Sequence, residues 1–237
     1  MTIKGEGRAS GPQADHSARP AHPLGLGGYL KDPAAIYAES FATIRNEVDF
    51  ARFPSDAEPL AIRLIHACGM VEITNDLHIT EGCVGAGRKA LQQGKPILCD
   101  AEMVAKGIIT RFLPDEVSVI TTLNHQRTSE LAAQHGTTRS AAAVELWRDH
   151  IAGAIVAIGN APTALFHLLE RLNEGWPRPA VILGFPVGFV GAAESKAALI
   201  DHADDTEYVT LSGRKGGSAM AAAAVNALAA GLRASDK

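Results

Sequence analysis

His66 lies in Leu64-Ile-His-Ala-Cys-Gly-Met70, just ahead of Gly69. The apolar spacing upstream places it in the last turn of a helix that stops at that glycine. A helix C-terminus favours a cation, and imidazole titrates near neutral pH. His66 can therefore hold or deliver a proton. A packed histidine bonded to a backbone carbonyl fits the same spacing, and both readings stand at this point. His66 and Cys68 alone do not make a metal site, because no third or fourth ligand lies at a useful spacing.

The cations come next. Ser40 and Arg45 share a predicted helix and lie about 140° apart around its axis. Arg139 opens the helical run Thr138-Arg-Ser-Ala-Ala-Ala143. An arginine there can grip a carboxylate with paired N–H groups while the helix N-terminus adds its attraction. Either arginine is equally readable as a solvated surface residue. Lys196, after Glu194-Ser195, is either a charged group at a ligand or half of a surface ion pair.

Two stretches share one pattern. Ala154-Ile-Val-Ala-Ile-Gly-Asn-Ala-Pro-Thr-Ala-Leu-Phe166 and Ala180-Val-Ile-Leu-Gly-Phe-Pro-Val-Gly-Phe-Val-Gly-Ala-Ala-Glu-Ser-Lys196 each run from an apolar strand through a small-residue turn into a helix. In open parallel sheets such turns sit at the carboxyl ends of strands, where ligands bind. Gly159, Asn160, Gly188 and Gly191 would offer bare backbone there. A third turn, Gly213-Arg-Lys-Gly-Gly-Ser-Ala-Met220, adds two cations. A P-loop, a strict Gly-x-Gly-x-x-Gly turn and a Gly-x-Ser-x-Gly elbow are all missing, so no nucleotide cofactor or hydrolase triad is expected.

These side chains need a scaffold. The chain has 237 residues, of which 46% are hydrophobic and 5% aromatic. That suits one α/β domain behind a Gly/Pro-rich head at residues 1–28, read as disordered. Predicted strands cover 96–99, 117–122, 154–159, 180–184 and 207–211. Predicted helices cover 84–93, 101–106, 127–135, 139–150, 162–173, 191–201 and 217–232. Two N-terminal helices precede them: one started by Asp32-Pro33, one by a Ser55/Glu58 capping box ending near Gly69. Alternating strands and helices give an open parallel sheet of about five strands with helices on both faces. The net charge of −4 gives no reason to expect nucleic acid. No run reaches the roughly 20 apolar residues of a membrane span, and the three separated cysteines fit a reducing cytoplasm.

The chain resembles the precorrin-8X methylmutases of corrin biosynthesis. The resemblance rests on Asp32-Pro-Ala-Ala-Ile-Tyr-Ala-Glu-Ser-Phe41, Ile65-His-Ala-Cys-Gly69, Pro96-Ile-Leu-Cys-Asp-Ala-Glu-Met-Val104, Thr138-Arg-Ser-Ala-Ala-Ala143, Gly159-Asn-Ala-Pro-Thr-Ala-Leu165, Pro186-Val-Gly-Phe-Val-Gly-Ala-Ala-Glu-Ser-Lys196 and Gly216-Gly-Ser-Ala-Met220. It implies a flavodoxin-like sheet and a homodimer with the substrate near the interface. It implies an isomerase that moves a methyl group from C11 to C12 of precorrin-8X, giving hydrogenobyrinate. That [1,5]-sigmatropic shift needs no metal, nucleotide or methyl donor. His66 maps to the family's essential histidine, which protonates or hydrogen-bonds a ring C nitrogen. Ser40, Arg45 and Arg139 map to substrate contacts, and the product passes to the next corrin-pathway enzyme. A cobalt-containing substrate, or a non-catalytic tetrapyrrole carrier, is the alternative reading. The chain departs from the family pattern at Ile109, Asn124-His125-Gln126, Thr137 and Phe185.

Overall fold

The computed structural model describes residues 29–203 and 205–233, so the head expected at residues 1–28 lies outside the described residues. The chain divides into Met1–Ser40 and Phe41–Lys237. The described part of the first unit leads into helix α1 (Pro33–Glu47). Asp32 caps it as expected: its Oδ2 accepts the Ala35 N–H at 2.9 Å.

The second unit is built on strands β1 (Leu77–Ile79), β2 (Ile97–Cys99), β3 (Val119–Thr121), β4 (Ile155–Ile158), β5 (Val181–Gly184) and β6 (Glu207–Leu211). Its helices are α2 (Glu58–Cys68), α3 (Cys83–Gln92), α4 (Glu102–Gly107), α5 (Gln126–His135), α6 (Arg139–Glu145), α7 (Pro162–Asn173), α8 (Ala192–His202) and α9 (Ser218–Ala229). The sheet order is β1-β6-β5-β4-β2-β3. Strands β2 to β6 are parallel, and β1 lies antiparallel against β6, Leu77 facing Leu211. Without β1 this is the flavodoxin-like order, in which the first parallel strand is flanked by the second and third. The chain therefore reverses direction across the sheet between β2 and β4.

Strand alternation divides the apolar residues into two cores. Ile97, Cys99, Ile155, Ala157, Val181 and Leu183 face α2, α3, α4 and α9. Leu98, Val156, Ile158 and Ile182 face α6, α7 and α8. Each central strand is thus buried on both faces, which is why it reads as a continuous Val/Ile/Leu run.

Three details differ from the sequence expectation. The sheet has a sixth strand, β1, at its antiparallel edge. The helix expected over 139–150 stops at Glu145, and the chain turns so that buried Trp147 can give its Nε1–H to Thr122 Oγ1 at 2.9 Å. The Ser55/Glu58 capping box does not form: Ala57 is the N-cap of α2, and Glu58 bonds Arg45 instead.

Candidate active site at the carboxyl edge

Helix α2 ends as its sequence requires. Gly69 adopts φ 69°, and its N–H returns to the Ile65 carbonyl at 2.7 Å. His66 in the last turn is exposed. The Phe41 ring meets its imidazole edge-on, 5.5 Å between centroids and 85° between planes. Burial pushes the neighbouring Cys68 thiol up, and Lys215 is near enough for its charge to pull the other way. Ser212 N–H donates to the Asp76 carbonyl at 2.8 Å, tying the turn after β6 to the chain that follows α2.

The turns after β5 and β6 are stitched together. Gly217 N–H donates to the Phe185 carbonyl at 2.8 Å, and Gly188 N–H to the Arg214 carbonyl at 3.3 Å. A Cβ on Gly216 would sit 2.6 Å from the Pro186 oxygen and also against that of Phe185, so only glycine fits. Lys196 locks the junction from below. It is fully buried and its Nζ donates to the Lys215 carbonyl. Burial pulls the ammonium down to about 8, and Asp76 pulls it back up. Among the described residues the Lys196 Nζ is turned inward to this Lys215 carbonyl. It props the turn that carries Arg214 and Lys215.

Above that turn the surface is apolar. Phe189 is 86% exposed and Val190 89%, with the Arg214 guanidinium 5.1 Å from the centre of the Phe189 ring. Gly191, at φ 79°, leads into α8, and a Cβ there would lie 3.3 Å from Pro162 Cβ. The turns after β4 and β5 are thus in contact.

Gly159 and Asn160 lie at the reversal point, but their backbone is not free for a ligand. Asp100, directly after β2, accepts the N–H groups of Gly159 at 2.9 Å, Asn160 at 3.0 Å and Ala161 at 2.8 Å. Beyond these engaged N–H groups, Asn160 presents an exposed residue surface at the edge. The Gly188 N–H is likewise committed, to Arg214. Burial pushes the Asp100 carboxyl above the usual carboxylate range, and the three N–H groups pull it back.

Arg139 is exposed at the same edge. Its Nη2 donates to the Leu123 carbonyl at 2.9 Å and to Asn124 Oδ1 at 3.2 Å, on the turn after β3. Thr138 next to it bonds Thr163 of α7 through the hydroxyls at 2.8 Å. Arg45 lies at the other end of α2, its Nε 2.7 Å from Glu58 Oε1. Eight residues of helix separate Glu58 from His66, about 12 Å at 1.5 Å per residue. Ser40 is half-buried on α1 in the first unit. The structure thus joins the turns after β4, β5 and β6 to one another, while His66 sits at the end of α2 against Phe41, Arg139 bonds the turn after β3, and Arg45 lies at the far end of α2.

Sequence reasoning overlooked Asp100, Phe189 and the part played by Arg214. Asp100 did carry a signal, a carboxylate directly between an apolar strand and a helix.

The family model described as precorrin-8X methylmutase matches residues 35–230. The chain belongs to that family. The precorrin-8X methylmutase of Pseudomonas aeruginosa is 58% identical over 85% of this chain and 97% of its own. The cobalt-precorrin-8 methylmutase of Priestia megaterium is 34% identical over 83% and 87%. The solved precorrin-8X methylmutase of Thermus thermophilus superposes with a TM-score of 0.75 at 38% identity, covering 83% of this chain and 94% of that one. This methylmutase is accordingly an isomerase that transfers a methyl group within one molecule.

Two departures from the methylmutase pattern have a structural account. Asn124 replaces the expected turn residue and holds Arg139, while the His125 side chain caps α5 by accepting the Arg127 N–H at 3.2 Å. Ile109 is tied through its backbone N–H to Asn226 Oδ1 at 2.7 Å. A cleft of about 490 Å³, lined by Thr110, Arg111, Val117, Val119 and Arg233, lies toward the opposite end of β3 and contains none of the site residues. Among the described residues no helix is long and apolar enough to cross a membrane.

Proposed function

We propose that the chain converts precorrin-8X to hydrogenobyrinate, with His66 as the group that protonates or hydrogen-bonds the ring C nitrogen. The observation that carries this reading is the exposed imidazole in the last turn of α2, met edge-on by the Phe41 ring. The reaction is balanced within one molecule. The methyl leaves C11 and bonds C12, the ring π system shifts with it, and no atom or electron is supplied from outside. A hydrogen bond or proton at the ring nitrogen draws electron density toward it and lowers the barrier to migration. A well-placed general acid contributes roughly 10²- to 10⁴-fold.

The substrate carries many carboxylates around a broad apolar ring. Arg139, Arg214 and Lys215 supply cations along the rim, while Phe189 and Val190 supply apolar surface. The 58% identity to a precorrin-8X enzyme, against 34% to a cobalt-precorrin-8 enzyme, supports the metal-free substrate. Exposure of Phe189 and Val190 supports a homodimer in which a second copy covers this edge. A reducing cytoplasm is its expected location, with hand-over of the product to the next corrin-pathway enzyme.

The test is direct. Purified protein mixed with precorrin-8X, with no cofactor added, should develop the visible spectrum of the corrin chromophore. His66→Ala should bind hydrogenobyrinate but convert precorrin-8X at least about 100-fold more slowly. No chromophore from the wild type would overturn the activity, and unchanged turnover in the variant would overturn the role of His66.

A further inference from the structure

Asp100 is one of few charged side chains in the interior, at 2% exposure. It stands where the chain reverses between β2 and β4, the place at which parallel sheets of this order bind their ligands. Its oxygens accept three successive N–H groups, those of Gly159, Asn160 and Ala161 at 2.9, 3.0 and 2.8 Å. The next residue, Pro162, begins the twelve-residue helix α7. Converging N–H groups at a helix start form a cradle for an anion. An oxygen pair that accepts from three donors is the bonding pattern of an ionised carboxylate.

We propose that Asp100 is a built-in anion: it fills the phosphate cradle of the reversal point and so turns the ligand out of the sheet and onto the rim. Asp100 is a positioning residue. It fixes the 159–161 turn, which in turn receives the Val187 N–H on the Asn160 carbonyl at 3.5 Å. The turn cannot shift toward α9 to compensate, because a Cβ on Gly159 would already lie 2.7 Å from Ser218 Cα. Phosphate esters are refused because their site is occupied from within. This holds whatever tetrapyrrole the rim accepts.

The test needs no tetrapyrrole, so a failed turnover assay leaves it intact. Thermal melting of full-length wild type and Asp100→Ala would be followed in sodium formate, inorganic phosphate and sodium chloride of matched ionic strength. The variant should melt lower in chloride and recover in a saturable way with formate or phosphate. The wild type should show no response beyond that to chloride. Equal responses from the two proteins would overturn the proposal. If Asp100→Ala does not fold, Asp100→Asn serves. Its amide places N–H against N–H, so amide exchange at residues 159–161 should quicken at least tenfold, with no formate response. Unchanged exchange there would equally overturn the assignment.

Discussion

Lys196 and His66 are both bases on helices that reach the rim, yet burial sends them to different tasks. His66 is exposed and available to the proposed substrate; Lys196 is sealed and meets a backbone carbonyl. The folded Lys196 ammonium is lowered from 10.5 to about 8. Between those values the unfolded chain binds more protons than the folded one, so its contribution to stability rises with pH through that window. Urea unfolding at pH 7.5, 9 and 10.5 should show wild type gaining on Lys196→Met by up to about 3 kcal/mol. Parallel pH profiles for the two proteins would refute this. The burial of Lys196 was not readable from the sequence, because lysines on helices are nearly always solvated. The position of His66 was readable, because Gly69 fixes where its helix ends. Asp100 was not recognised, since its partners lie 59 to 61 residues downstream and meet it only across two paired strands.

At the scale of elements, the site depends on how tightly the turns after β5 and β6 approach. Gly216→Ala would push a methyl into the Phe185 and Pro186 carbonyls. The expected cost is about 1–3 kcal/mol, seen as a lower melting temperature. Activity should fall with it, because the same turn carries Arg214 and Lys215. A variant with unchanged melting would show that the turn relaxes freely. The five parallel strands were legible because each is an apolar run ending in a polar or small turn. Strand β1 was not: it has three residues, and its partner Leu211 lies on the last strand of the sheet. The early stop of α6 was hidden for a related reason. Its Ala-rich sequence favours continuing, but the turn that buries Trp147 against Thr122 ends it.

For the whole molecule, the proposed subunit contact lies on the exposed apolar edge of Phe189 and Val190. Phe189→Asp should move the protein from dimer to monomer in light scattering and weaken tetrapyrrole binding at the same time. A variant that stays dimeric would place the subunit contact elsewhere. One consequence of the packing concerns the order in which the chain is made. The His66 helix α2 packs chiefly on α9, and β1 pairs with β6, so the seat for the first helix of this unit is supplied by its last strand and helix. During synthesis α2 leaves the ribosome early, yet the helix it packs against most, α9, is made last. The packing therefore predicts that a chain truncated before α9 leaves α2 without its main partner, so such a fragment should show faster amide exchange across residues 58–68 than the full chain.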